Sequence, residues 1–448
     1  MARSGFGRRL LFAGVVLGAL LGIGEGITRF IAWRTPVAAD AMMDESDRAL
    51  WGYSPGCHKD IAPATCIDSR GLRGAEPGPK KPGVRRALFV GDSSVFGVTL
   101  QDNRTFIARF AERFNGKVEA LNGGVPGYSS AQATAMLEES WLETEPDLLV
   151  IATLWSDNNF DSFVDADRMA QRPPAWLRFL VKYSSLVKFV AGKGESSQSI
   201  GWGPGGQNTM LAERRVDLAT YGANLERMVA MMRERGGEAA FLILANVEDV
   251  ERPNRPWPWD PYREMMRAVA ARHGAVVVEA APLWQADGGG RQLLVDDMHP
   301  SERGASVIGG GLHAALSKRG WGEGKPAMVG GNPNATLPTH DPWTEPWKPG
   351  LEGPSVAGVV QATWAARRKE LVVRAYDPGT GALLDEVSLP AQAPFALDVG
   401  NAAAIRVAVS SDQGTARLKN DVIDLAGRKA WAVKIDLDRG VIEDPGAN

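Results

Sequence analysis

Between Arg85 and Arg319 short apolar runs alternate with longer segments of helical period, and this alternation limits the possible folds more than any other feature of the chain. Ala87–Val90, Val118–Leu121, Asp147–Thr153, Ala239–Ala245 and Ala275–Glu279 read as strands. Thr105–Phe114, Ala131–Leu142, Val216–Arg235, Pro261–His273 and Gly304–Arg319 read as helices. A helix between consecutive strands makes a crossover, so the strands lie parallel with helices on both faces. The expected core is a three-layer α/β/α, flavodoxin-like parallel sheet.

The 448 residues exceed one ordinary core. Beyond residue 350 the apolar period drops to two, in Ala357–Thr363, Glu370–Tyr376, Ala382–Ser388, Phe395–Val399, Ala404–Val409 and Ala430–Ile435. That pattern predicts a small all-β module, a sandwich, over 351–448. A Pro/Gly/Asn/Trp-rich linker, 322–350, precedes it. The α/β domain takes 84–321, with an insertion at 160–215 where the alternation breaks and which reads as a lid or substrate wall. Residues 36–83 are rich in turn formers and read as an extended lead-in.

Residues 1–35 begin with Arg3, Arg8 and Arg9, continue through an uncharged run from Leu10 to Ile23, and carry Glu25 and Arg29 four apart, where they can pair. A basic start before an apolar run is an export signal or an anchor. Without a clean cleavage motif after Ile23, an uncleaved transmembrane signal-anchor is expected. The arginines then keep the N-terminus in the cytoplasm and place the rest in the periplasm or outside the cell. A net charge of −3 and no further Lys/Arg-rich run argue against nucleic acid as a partner. Two cysteines, Cys57 and Cys66, are too few for a zinc cluster. They can pair if the chain is exported and are otherwise two thiols.

Chemistry is suggested at two places. The apolar run Ala87–Val90 stops at Gly91, followed by Asp92, Ser93 and Ser94. Open α/β sheets hold their reactive groups at the carboxyl ends of strands, where Ser93 falls. Near the end of the domain, Asp296-Asp297-Met298-His299 follows Leu293-Leu294-Val295 and precedes a helix. A hydrolytic serine needs an imidazole to take its proton and an acid to hold that imidazole. Of five histidines, only His299 sits in an Asp-rich loop of this kind. Asp296 and the adjacent Asp297 compete as its partner, and the three-residue spacing favours Asp296. Trp257, Trp259, Trp343 and Trp347 offer faces for sugar rings or packing under loops.

Gly91-Asp92-Ser93, Gly124 within Asn122-Gly-Gly-Val-Pro-Gly127, the turn at Asp157, and Asp296-x-x-His299 occur in this order. Together they resemble the four blocks of the SGNH (GDSL-type) hydrolases, over about residues 68–321. Thr105 and Asp68–Gly74 resemble a membrane-anchored bacterial branch of that superfamily. The resemblance implies Ser93 as nucleophile, His299 as general base and Asp296 as its orienting acid. It implies oxyanion donors in the N–H groups of Ser93 and Gly124, and a third from an Asn side chain. Ser156 stands at that Asn position and Leu154 at the preceding Gly, a departure. Asn158 or Asn159 is a candidate to supply the missing amide, and Asp92, Asp157 and Asn158 are candidate supporting residues. The implied activity is that of a serine esterase cleaving acetyl or other short acyl esters, on envelope carbohydrate, with no metal or cofactor. An acyltransferase to glycan hydroxyls, or a non-catalytic glycan-binding protein on the same fold, is the alternative.

Overall fold

A computed structural model of the chain describes residues 14–16, 18–29, 43–46, 49–58, 63–161, 164–171, 180, 184–187, 213–251, 259–341, 355–361, 370–390, 394–411, 414–425, 430–437 and 440–443. Five parallel strands form the central sheet: β1 (Arg85–Gly91), β2 (Val118–Gly124), β3 (Leu148–Ala152), β4 (Glu238–Ile243) and β5 (Val276–Glu279). Their spatial order is 2-1-3-4-5. This doubly wound order reverses direction at β1 and β3, and the crevice for a ligand lies outside the carboxyl ends there. The three strands at the switch end level, with Gly91 opposite both Gly124 and Ala152. The loops that follow them therefore start side by side.

Strand β1 is apolar because the sheet is covered on both faces, and Ala87–Val90 are completely buried. Helices α2 (Phe106–Glu112), α6 (Ala280–Ala286) and α7 (Glu302–Arg319) pack together. So do α3 (Ser130–Glu139), α4 (Leu218–Glu234) and α5 (Asp260–His273). Phe89 packs on Phe106 and Phe110, joining β1 to α2.

Residues 49–74, expected as an extended lead-in, belong to this domain. Two short hairpins, Met43–Ser46 with Leu50–Tyr53 and Gly56–His58 with Thr65–Ile67, are too brief to show a period. Trp51, Tyr53, Ile67 and Leu72 enter the same hydrophobic core as the sheet. Cys57 and Cys66 face each other across the second hairpin and form a disulfide. Arg73 reaches farthest: its buried guanidinium donates to the carbonyls of Phe96, Gly97 and Leu100 and to the Asp102 carboxylate.

The expected linker also differs over its first part. Residues 322–341 run along the domain, where Val329 donates to Gly274, Asn332 to Ala271, and Arg272 to the Ala335 carbonyl. Asp341 then forms a buried ion pair with Arg214. Polar loop composition hid these backbone contacts. Residues 342–350, with Trp343 and Trp347, lie outside the described residues, as does Trp257.

Beyond them two sheets enclose a separate core of Val356, Leu371, Val373, Leu397, Ile405, Val407, Ile435 and others. One orders Pro394–Asp398, Ser355–Gln361, Ala430–Asp436 and Val441–Glu443; the other centres on Glu370–Tyr376 between Leu383–Pro390 and Ala404–Ser411. This is the all-β region expected at the C-terminus.

Of the N-terminal segment 1–35, residues 14–16 and 18–29 are helical, and the remainder lies outside the described residues. Among the described residues no helix is long and apolar enough to cross a membrane. Of the insertion, only 160–161, 164–171, 180, 184–187 and 213–215 are described.

Replacing Arg73 with Met would leave the buried Leu100 carbonyl and the Asp102 carboxylate without the guanidinium and would take one of two donors from each of the Phe96 and Gly97 carbonyls. The expected cost is about 3 kcal/mol of unfolding free energy. Urea denaturation of the Arg73→Met variant measures it, and a loss below about 0.5 kcal/mol would contradict the clamp.

Candidate active site

Strand β1 turns sharply at Gly91 into a four-residue helix, α1 (Ser93–Phe96). A side chain at Gly91 would place its Cβ 2.5 Å from Val95 Cγ2 and 2.7 Å from the Ala152 carbonyl oxygen, so only glycine fits the turn. Asp92 caps the helix, its carboxylate accepting from the backbone N–H groups of Ser94, at 2.9 Å, and Trp155. It thereby ties the turn after β1 to the turn after β3. Burial pushes the Asp92 carboxyl up to about 6, opposed by those N–H groups and by His299. Ser93 is the first residue of α1, so its own N–H is one of those a helix cannot satisfy internally.

The loop after Leu294 folds back on itself, with Val295 donating to His299 O and Ser301 to Leu293 O. This closure brings His299 to the serine. His299 Nε2 lies 2.8 Å from Ser93 Oγ, and His299 Nδ1 lies 2.7 Å from Asp296 Oδ2. Burial raises the Asp296 carboxyl. Hydrogen bonds and charge from His299, together with the N–H groups of Met298 and His299, outweigh that effect and hold it at about 2. An ionised carboxylate only accepts, so Nδ1 carries the imidazole proton. In the neutral ring Nε2 is then the acceptor, and Ser93 Oγ–H donates to it. Asp297 is directed elsewhere: it is buried, contacts Arg291, and its carbonyl accepts from Val247 N–H. The adjacent acids are thus separated by geometry, and Asp296 is the one that touches the imidazole.

The structure corrects the expectation for Gly124. Its N–H donates to Asn122 Oδ1 at 2.9 Å and is not available to an oxyanion. A Cβ there would fall 2.1 Å from Phe96 N, so this glycine is needed for the close approach of β2 to α1. Gly127, three residues on, sits in a tight turn at φ +77°. Its N–H has no partner among the described residues. The Ser93 N–H and the nearly buried Ser156 hydroxyl are likewise unpartnered among them. Three donors thus remain open in the loops after β1, β2 and β3. Asn158 does not substitute for Ser156 in this arrangement, because its Nδ2 donates to Leu154 O at 2.6 Å. Asp157 is fully buried and accepts from Ser130 N–H at the start of α3.

Three residues at the site gave no chemical signal in the sequence. Gly127 was hidden behind the neighbouring glycines. Arg214 and Arg215 fall at the end of the expected insertion, and both are buried. Arg214 donates to the Asn158 carbonyl and Arg215 to the Gly127 carbonyl.

Burial pushes the Asp157 carboxyl up to about 7, with the Ser130 contacts opposing it. A raised carboxyl binds its proton more tightly in the folded chain than in the unfolded one. Its stabilising contribution is therefore complete below about pH 4 and is lost as pH rises through the folded value. Melting temperatures measured near pH 5 and near pH 8 should fall less in Asp157→Asn than in the native chain. Equal falls would contradict a buried neutral acid here.

Residues 89–307 match the model of the GDSL-like lipase/acylhydrolase family. No curated protein matches the chain. Among solved structures, the chain is similar to LAE5, an α/β hydrolase enzyme from the metagenome of Lake Arreo, at 18% identity and a TM-score of 0.36, covering 54% of this chain and 98% of that one. It is also similar to a lipase/acylhydrolase from Enterococcus faecalis, at 17% identity and a TM-score of 0.35, covering 53% and 97%. A third is the acetyl xylan esterase AlAXEase, at 12% identity and a TM-score of 0.35, covering 52% and 99%. The strand order, the Ser93 turn and the family match agree: over residues 89–307 the chain is similar to the GDSL-like lipase/acylhydrolase family, and the domain is an ester-bond hydrolase.

Proposed function

We propose that the chain is a serine esterase in which Ser93, His299 and Asp296 form the catalytic triad. The observation that carries this is the continuous hydrogen-bonded path from Ser93 Oγ through both ring nitrogens of His299 to the Asp296 carboxylate. Ser93 Oγ attacks the ester carbonyl and its proton passes to His299 Nε2. The tetrahedral oxyanion collapses, the C–O bond to the alcohol breaks, and the imidazolium returns its proton to the leaving oxygen. Water then attacks the acyl-enzyme with His299 again as base, releasing the acid and restoring Ser93. Asp296 keeps the proton on Nδ1 and stabilises the imidazolium.

The oxyanion donors in this mechanism are the N–H groups of Ser93 and Gly127 and the Ser156 hydroxyl, in place of the Gly124 N–H. A serine hydroxyl is shorter and rotates more freely than an asparagine amide, so it is a weaker donor here. The substrate class is an acetyl or short acyl ester on envelope carbohydrate, acted on outside the cytoplasm by a chain held at the membrane by residues 1–35. Two features support that placement. The exposed side chains of Val15, Leu20, Leu21, Ile23 and Ile27 give the N-terminal helix an apolar surface. The Cys57–Cys66 disulfide suits an oxidising compartment.

Hydrolysis of p-nitrophenyl acetate tests the proposal. Ser93→Ala and His299→Ala are each expected to lower kcat by at least about 1,000-fold. Ser156→Ala is expected to lower it by about 100-fold. A fluorophosphonate should label the native chain and not Ser93→Ala. Full turnover in Ser93→Ala, or a native chain that the reagent does not label, would overturn the assignment.

A further inference from the structure

The N–H of Gly127 belongs to the Pro126–Gly127 peptide, and nothing in a glycine's own geometry fixes which way that peptide faces. Two side chains from outside the loop do so. Trp51 Nε1–H, from the hairpin ahead of β1, donates to the Pro126 carbonyl at 3.1 Å. In a trans peptide the N–H points opposite to the C=O, so a carbonyl held toward Trp51 turns the Gly127 N–H away from it. On the other side, Arg215 Nη1 donates to the Gly127 carbonyl at 2.8 Å. The N–H of that same Gly127–Tyr128 peptide is held by the Val125 carbonyl at 3.0 Å. Both peptides flanking Gly127 are therefore pinned.

Arg215 is itself held without slack. Its Nε and Nη2 meet the buried Asp165 carboxylate at 2.9–3.1 Å, Nη2 also meets Gln132 Oε1 at 3.0 Å, and the guanidinium lies over the Trp51 ring. A fork of this kind aims each of its donors, which a single ammonium does not. Arg214, adjacent in sequence, donates to the Asn158 carbonyl, two residues past Ser156. The backbone reinforces this, since Arg215 donates to Asn159 O and Val216 to Asp157 O. One short stretch, 214–216, thus fastens the loops after β2 and β3 together.

We propose that Arg215 and Trp51 are positioning residues for the esterase reaction, orienting the Gly127 N–H toward the oxyanion formed on Ser93. The proposal rests on the assignment of Ser93, His299 and the Gly127 donor given above. Neither side chain touches the reacting atoms in this scheme. Their removal changes how well the transition state is held and leaves ground-state binding of the ester alone. The effect therefore falls on kcat and not on KM.

The experiment uses the full-length chain with p-nitrophenyl acetate and counts active sites by fluorophosphonate titration, so that misfolded protein does not contribute to kcat. Trp51→Phe keeps the ring and deletes one donor. It is expected to lower kcat per titrated site by about 10-fold, with KM within about twofold. Arg215→Lys keeps the charge beside Asp165 and loses the fork, and is expected to lower kcat by about 100-fold. If Arg215→Lys does not fold, Trp51→Phe alone decides. Native kcat per site in the folded variants, with Ser93→Ala inactive, overturns the positioning role and leaves the esterase assignment standing. Full turnover in Ser93→Ala overturns both.

Discussion

A helix of four residues cannot satisfy its own ends, and the site is built around that fact. In α1 every helical carbonyl lies within the last turn, and every N–H within the first. The N-terminal side is capped by Asp92, and the Ser93 N–H is left open toward the crevice. The C-terminal side is satisfied from elsewhere in the chain. Arg73 donates to Phe96, Gly97 and Leu100, and Asn122 Nδ2 adds a second bond to Phe96. Ser93 is thus presented by a turn whose stability comes from residues on either side of β1. Because Arg73 also pairs through its backbone with Asn122, the same residue ties α1 to the end of β2.

The elements that could be read from the sequence were those with a long-range period or an unusual local grouping. Five strands and their intervening helices follow directly from apolar spacing, as does the switch to period two after residue 350. Ser93 stood out because polar residues follow an apolar run abruptly, and His299 because its loop is rich in acid. Two kinds of feature were hidden. Gly124 and Gly127 share one loop and one chemistry, and only the level ending of β1 and β2 shows that the first is pressed against α1. Arg73, Arg214 and Arg215 look like solvated charges, since the carbonyls and carboxylates that bury them come from distant parts of the chain. The hairpins of residues 43–67 were hidden because strands of three or four residues carry too few alternations to register.

Charge at the site is arranged by depth. Asp296, the most exposed of the three acids, stays ionised and serves the imidazole, whereas Asp92 and Asp157 lie in the interior. Each of these two accepts a backbone N–H that opens a helix, Ser94 in α1 and Ser130 in α3. A short acid can perform both tasks, and solvent access decides which. The acids next to Ser93 and next to the Ser156 hydroxyl are thereby loop fasteners, and the acid at the open end of the site is the one that meets the imidazole.

The strip that leaves α7 has a bearing on how the chain is dissected. Arg214 is almost wholly buried and has its carboxylate partner in Asp341, well past the last helix of the domain. A fragment ending at Arg319 or Trp321 would keep the cation and discard that anion, and with it the backbone contacts of residues 329–335. The folding unit that carries the hydrolase therefore ends no earlier than Asp341, some way into a stretch whose composition suggests mere tether.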